Sequence, residues 1–468
     1  MAIIDELEKK SVLVLGLGRE GMSNFAFLRR RFPLKVLGLA DKLPWAQLAE
    51  QTRQVIESDG RVALFLGNEY LKSVSQYDIV FKSPGISPFI RELSVARELG
   101  KISSNTALFF ERCPGTIIGV TGTKGKSTTA SLIYEVLKAG GIDTRLAGNI
   151  GIPLLSALDG AASTTIFVAE LSSHQLMDLH ESPHIAILLN IFQEHLDYYQ
   201  TLETYVEAKQ TIVQYQTEND NVIFDASCPV IRKMANKSKA KKIPFDVGPM
   251  GDVGCFPEND FLVFRADGRQ EKIIPVEAIP LKGAFNLRNV MPAIMVGKIL
   301  GIQNETIAAA IHDFKPLEHR LEFVRTCNNV SFYNDSLATI PEATIAAMKA
   351  FPKRRLILLV GGFDRGQDFT QLARMILMSD PREVILFPAT GERLWEEIVL
   401  RAGEKGDLPK HVFVMNMSEA VQEAYHSAKE GDIVLLSPGG ASFVGFGDYR
   451  DRGNRFKAEV GKLVDQHP

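Results

Sequence analysis

The segment Val-Thr-Gly-Thr-Lys-Gly-Lys-Ser-Thr-Thr, residues 120–129, has the residue types and order needed to hold a phosphate chain. Such a chain needs inward-pointing backbone N–H groups, an ammonium to offset its charge, and a hydroxyl for a divalent cation. Gly122, Gly125, Lys126 and Ser127 supply these, and Thr123, Lys124 and Thr128 complete the loop. The standard phosphate loop opens with a glycine, and here that position is Val120. Two further clusters follow strand-like runs. Glu170 lies in Ala-Glu-Leu-Ser-Ser after Thr-Thr-Ile-Phe-Val, and His195 lies in Asn-Ile-Phe-Gln-Glu-His-Leu-Asp after Ile-Ala-Ile-Leu-Leu. From two strand ends they could converge on a metal beside the phosphates. Alternatively, Glu170 is a helix N-terminal acid and His195 a satisfied polar residue. By composition Lys209, in Tyr-Val-Glu-Ala-Lys-Gln-Thr-Ile-Val, is an exposed helix lysine. Asp335, in Tyr-Asn-Asp-Ser, reads as a turn or N-cap residue.

A second nucleotide signal is Gly-Leu-Gly-Arg-Glu-Gly, Gly16 to Gly21, with Asp41 about 20 residues further on. It fits a nicotinamide dinucleotide, and equally any nucleotide diphosphate resting on a helix N-terminus.

These loops need strands to carry them. Four times a β-branched and Leu-rich run ends in a glycine cluster and a helical pattern follows, near Gly16, Gly122, Gly361 and Gly439. Continuous apolar runs suit strands buried on both faces of a parallel sheet, whose C-terminal ends bind ligands. The class is therefore α/β. Spacing suggests three units. Strand-like runs at residues 36–39, 62–66 and 79–82 fill the first, residues 105–115 form a junction, and residues 314–317 form a second junction at Pro316. Residues 236–267 read as irregular loops or small antiparallel strands. The chain has 468 residues and a net charge of −3, with no electrostatic case for a nucleic-acid partner. The four cysteines are far apart and read as buried free thiols of a reducing compartment. The polar, acid-bearing N-terminus is not signal-like, and no apolar run reaches about 18 residues, so a cytoplasmic protein without a membrane span is expected.

Taken together, the blocks TGTKGKST, GNIG, ELSS, LNIFQEHLD, FNLRN, HRLE, YNDS and LLSP resemble the Mur ligases, ATP-dependent enzymes that add amino acids to peptidoglycan precursors. GLGREG and KSPGIS are similar to the glutamate-adding type, which uses UDP-N-acetylmuramoyl-L-alanine. The resemblance implies a Rossmann-like UDP-substrate domain at 1–108, a central P-loop-like ATPase domain at 109–315, and a Rossmann-like amino-acid domain at 316–468. It implies ATP, two Mg²⁺ sites and an acyl-phosphate intermediate, in a monomer. On matching positions, Lys126 neutralises phosphates, Ser127 and Glu170 serve one Mg²⁺, and His195 a second. Lys209 matches a lysine carbamylated by CO₂, which would turn a cation into a metal-facing anion. Asn289, Arg320 and Asp335 match residues that hold ATP. Gly18, Arg19, Glu20, Asp41, Ser83 and Asn149 match the UDP-substrate contacts, and Thr339, Arg365, Ser442 and Tyr449 the amino-acid contacts. The amino-acid region departs from the family pattern: Leu337 and Arg365 stand where lysines are usual, and Tyr449 where Phe is often found. D-Glutamate is the family default. GREG, NDSLATIP and SPGGASF resemble a branch that adds L-glutamate. A nicotinamide oxidoreductase would leave TGTKGKST and HRLE unexplained, and a folylpolyglutamate synthase would not need GLGREG.

Overall fold

The computed structural model describes residues 7–464 apart from 193–195, 200, 247, 249–252, 282, 354, 404–405 and 443–444. Its strands form three sheets. Residues 1–279 with 288–314 make one compact unit, and residues 280–287 with 315–468 make another.

The first sheet holds β1 Val12–Leu15, β2 Leu37–Asp41, β3 Val62–Leu66, β4 Ile79–Lys82 and β5 Ile102–Ser103, all parallel, in the order β3-β2-β1-β4-β5. Each of the four residues of β1 is buried, as a strand covered on both faces requires. The strand order reverses between β1 and β4, which places the Gly16 turn in the crevice where α/β sheets bind ligands. Helix Arg19–Arg31 follows, with Glu20 in its first turn and Arg29, Arg30 and Arg31 in its last, each suited to the helix dipole.

The second sheet lies in the same unit. It holds β6 Thr116–Thr121, β7 Thr144–Gly148, β8 Ile166–Glu170, β9 Ile185–Leu188, β10 Asn221–Asp225, β11 Lys241–Phe245, β12 Gly254–Glu258, β13 Phe261–Ala266 and β14 Arg269–Pro275. Central β6 runs parallel to both β8 and β9, so their C-terminal ends share one edge. The third sheet, in the second unit, has the order β15-β16-β20-β17-β18-β19. These are Glu322–Cys327, Val330–Asn334, Ile433–Leu436, Leu356–Gly361, Glu383–Phe387 and Lys410–Phe413. Only β15 is antiparallel to its neighbour.

Two sequence expectations gain detail. Residues 105–115, expected as a junction, lie between the first two sheets and carry helix Asn105–Arg112. Its Phe109 is fully buried and meets Phe167 edge-on, with ring centroids 5.3 Å apart, and Ser104 caps its start. Within residues 236–267, β11 is a regular strand parallel to β10, while β12 and β13 pair antiparallel. Cys255 and Cys327 are buried, whereas Cys113 and Cys228 are only half-buried. No helix among the described residues is long and apolar enough to cross a membrane.

Candidate functional site

The chain leaves β6 through Gly122, at φ +156°, and enters helix Lys126–Ala139 through Gly125, at φ +89°. Glycine adopts such backbone conformations without the penalty of a Cβ. At Gly125 a Cβ would also collide with Asn289 Oδ1, and at Gly122 it would lie 2.9 Å from Leu189 Cβ. The loop after β9 braces the turn from outside. Lys124 N donates to Asn190 Oδ1 at 2.8 Å, and Asn190 Nδ2 donates to Lys124 O at 2.9 Å. Lys126 Nζ donates to Gly122 O at 3.1 Å and Thr123 O at 3.0 Å. Its ammonium is therefore held over the loop rather than trailing into solvent.

Glu170 ends β8 opposite Val120 of β6. It is 1% exposed, and Oε1 accepts from Asn149 Nδ2 at 3.1 Å, while Oε2 has no hydrogen-bond partner among the described residues. A buried carboxylate oxygen left so is costly unless something donates to it or coordinates it. Lys209 is not the exposed helix lysine that composition suggests: it too is 1% exposed. On helix Leu202–Gln214 it shares the inward face with Tyr205, Ala208, Ile212 and Val213. Its Nζ donates to Gly122 O at 3.0 Å and Thr121 Oγ1 at 3.3 Å, and lies 4.9 Å from the centre of the Tyr205 ring. Lys126, Asn149, Ser172, His174, Tyr205 and Lys209 line one cavity of about 310 Å³. His195 lies outside the described residues, and among the described residues no three His, Cys, Asp or Glu side chains cluster as metal ligands. Ser127, in the first turn of helix Lys126–Ala139, and Glu170, at the end of β8, are oxygen donors, a hard set that suits Mg²⁺ together with phosphate oxygens.

The first sheet faces this loop from the same unit. Gly16 has φ +91°, and a Cβ there would lie 2.8 Å from Ser83, whose Oγ donates to Gly16 O at 2.9 Å. A Cβ on Gly21 would run into Gly16 O, but one on Gly18 would meet nothing within 4 Å. Protein packing thus explains the outer glycines, and leaves the middle one to a ligand's approach. Asp41 accepts from Leu17 N at 2.6 Å and from Leu43 N at 2.9 Å, so its carboxylate shapes the turn itself. Arg19 Nη2 donates to Gly148 O at 2.6 Å, and Glu20 accepts from Gln175 Nε2 at 2.7 Å. Burial raises the Glu20 carboxyl above its usual range, and the Gln175 bond partly offsets this. Sequence reasoning missed the group that anchors Ser83's loop. Lys82, 2% exposed, lies 3.5 Å from Asp178, which also holds Arg97 at 2.5 Å. Tyr198 Oη donates to Pro84 O at 3.0 Å. Nothing at the sequence level links positions so far apart.

In the second unit, Asp335 follows β16 and opens a turn, its carbonyl accepting from Ala338 N at 2.9 Å, and it is buried there. It accepts from Leu321 N at 3.1 Å and Ser437 Oγ at 2.8 Å. Burial pushes its carboxyl up to about 7, against the pull of Arg320 and Arg452. Neighbouring His319 is also buried, with Nδ1 2.9 Å from Asn334 Nδ2. Tyr449 opens helix Tyr449–Gly461, its ring edge-on to His319 at 5.9 Å. Ser442 is buried and Thr339 half-buried, whereas Arg365 is exposed on the loop after β17, with its backbone N–H bonded to Gln367 Oε1 at 2.8 Å.

Residues 120–297 match the family described as Mur ligase middle domain, and residues 319–440 the one described as Mur ligase, glutamate ligase domain. The chain is 34% identical over 463 residues to the UDP-N-acetylmuramoylalanine–D-glutamate ligase of Acetivibrio thermocellus, covering 98% of this chain and 97% of the relative. It is 35% identical over 471 residues to the ligase of the same name from Ligilactobacillus salivarius, covering 100% and 99%. A MurF ligase from Thermotoga maritima, solved in complex with ADP, shares the fold at a TM-score of 0.59 and 19% identity, with 97% and 95% coverage.

Proposed function

The chain belongs to the Mur ligase family, and from that premise we propose that it joins glutamate to UDP-N-acetylmuramoyl-L-alanine while ATP is cleaved to ADP and phosphate. The observation that carries this reading is the loop of residues 122–127, closed on Asn289 at Gly125 and set beside the unpartnered oxygen of Glu170. The substrate's carboxylate attacks the γ-phosphate, giving an acyl phosphate. The glutamate amine then attacks the acyl carbon, and the tetrahedral intermediate expels phosphate.

Carboxylate and phosphate are both anions, so cations must screen them as they approach. Lys126 neutralises the phosphates from its place over the loop. Ser127 and Glu170 would hold one Mg²⁺ and His195 a second, with Lys209 as a metal-facing carbamate. Bound Mg²⁺ offsets charge on the phosphates and the attacking carboxylate. Thr123, Lys124 and Thr128 complete the phosphate cradle, and Asn289, Arg320 and Asp335 bind the rest of ATP. Gly18, Arg19, Glu20, Asp41, Ser83 and Asn149 take the UDP-sugar, with Asp41 acting through the turn it shapes. Thr339, Arg365, Ser442 and Tyr449 take the amino acid. Residues 1–108, 109–315 and 316–468 divide these tasks.

D-Glutamate is the expected substrate. A second reading, L-glutamate, is favoured by Leu337, which removes a lysine that glutamate-adding relatives usually carry and leaves Arg365 as the cation for a side-chain carboxylate. ADP release from ATP and UDP-N-acetylmuramoyl-L-alanine, measured with each enantiomer, tests both. The expected result is release that depends on the UDP-substrate and is faster with D-glutamate. Faster release with L-glutamate selects the second reading, and no release with either overturns the assignment.

A further inference from the structure

Arg452 takes no part in the roles above, yet among the described residues it is the largest fully buried side chain, 1% exposed on helix Tyr449–Gly461. Its guanidinium ties together two loops at the C-terminal edge of the third sheet. Nε donates to Ser336 Oγ at 3.0 Å and Nη2 to Ser336 O at 2.8 Å, which fixes the loop after β16. Nη1 donates to Gly440 O at 3.1 Å and Ala441 O at 3.4 Å, which fixes the loop after β20. Ser336 Oγ in turn donates to Tyr449 O at 2.8 Å, closing the ring of bonds back onto the helix.

A third loop is fitted around the same group. Phe363 N donates to Ala441 O at 2.7 Å, and a Cβ on Gly362 would lie 3.2 Å from Arg452 Nη1 and collide with Ala441 O. Glycine is therefore required where the loop after β17 passes the guanidinium. These three loops carry Thr339, Arg365 and Ser442. The fourth amino-acid candidate, Tyr449, begins the helix one turn before Arg452.

The charge of Arg452 is the second observation. Among the described residues, every hydrogen bond from its guanidinium ends on a neutral oxygen: three carbonyls and one hydroxyl. The carboxyl that acts on it electrostatically, Asp335, is itself engaged by Leu321 N and Ser437 Oγ. A clip between loops could be made from neutral amides. A buried cation without a bonded anion is costly, and it raises the positive potential at the sheet edge where α/β folds bind ligands.

We propose that Arg452 is the positioning residue of the amino-acid subsite: its fork sets the loops bearing Thr339 and Ser442, and its charge favours a substrate with two carboxylates. This rests on the ligase reading above and specifies how its amino-acid side is built. Arg452→Met removes fork and charge, Arg452→Lys keeps the charge without the fork, and Ser336→Ala removes one clipped hydroxyl. In the full chain, KM for glutamate, KM for ATP and kcat are measured for each by ADP release. Arg452→Met is expected to raise the glutamate KM tenfold or more, with the ATP KM changed less than threefold. Arg452→Lys should recover part of that loss, and Ser336→Ala should raise the glutamate KM severalfold. If Arg452→Met does not fold, the same split in Arg452→Lys and Ser336→Ala decides. An unchanged glutamate KM in an active variant overturns the proposal, as does a parallel rise of both KM values. A wild-type enzyme active with another amino acid and not with glutamate would refute the substrate reading, and the same comparison would then be made with that amino acid.

Discussion

Replacing Lys126 with alanine is expected to slow phosphate release by a factor on the order of 10² or more. Phosphoryl transfer gains little from covalent chemistry by the protein and depends on positioning and electrostatic stabilisation. Lys126 offers an ammonium already turned onto the loop by its bonds to Gly122 O and Thr123 O. Those carbonyls hold it beside the phosphate cradle before any nucleotide arrives, so little reorganisation is needed when charge shifts. Alanine is the best helix former, and position 126 is the first residue of its helix, so the fold should survive the change. Phosphate release at saturating substrates, together with a thermal melt, separates lost chemistry from lost structure. Near-normal turnover in a folded Lys126→Ala protein would remove the ATP-cleaving role from this loop.

Lys209→Ala is expected to be nearly inactive as well, and partly rescued by small carboxylic acids. The buried Lys209 amine donates to Gly122 O at 3.0 Å, on the loop that Lys126 also holds. On the proposed reading, carbon dioxide would add to the neutral amine with loss of a proton, and the resulting anionic carbamate would face the cavity that Lys209 lines with Lys126. The alanine variant leaves space for formate or acetate to supply the missing oxygens. The same account expects activity to fall in CO₂-depleted buffer at low pH, where the carbamate decomposes. Full activity of Lys209→Ala would contradict the role. An inactive variant that no carboxylic acid restores, with wild-type activity indifferent to CO₂, would leave Lys209 a structural lysine.

How much of this was legible in the sequence depended on whether the signal was local. β3 and β4 coincide with the apolar runs at 62–66 and 79–82: all four residues of β4 are buried, as a strand covered on both faces requires, whereas β3 is an apolar edge strand whose Leu64 is exposed. The phosphate loop was legible because its glycines are dictated by positive φ, a property of the residue itself. Lys209 was misread because hydrophobic periodicity counts lysine as solvent-facing, and only the strand ends packed against it show that this one points inward. The stretch 105–115 reads as a junction without showing its structure, and the run Leu108, Phe109 and Phe110 is the signal for the buried face of helix Asn105–Arg112. The hairpins of the second sheet carried a signal that was passed over. Asn259-Asp260 joins β12 to β13 and Asp267-Gly268 joins β13 to β14, all four residues at positive φ, as tight hairpin turns require. The Lys82–Asp178–Arg97 group and the Arg452 clip join residues distant in the chain, and no spacing rule reaches them.

The central claim is that ATP activates the carboxylate of UDP-N-acetylmuramoyl-L-alanine for attack by glutamate. Substrate labelled with ¹⁸O in that carboxylate tests it most directly. When the acyl phosphate collapses onto the amine, the bridging oxygen leaves with phosphate. The account predicts inorganic phosphate carrying one ¹⁸O per turnover, formed together with the glutamyl product and lost when glutamate is omitted. Unlabelled phosphate released alongside the product would contradict it.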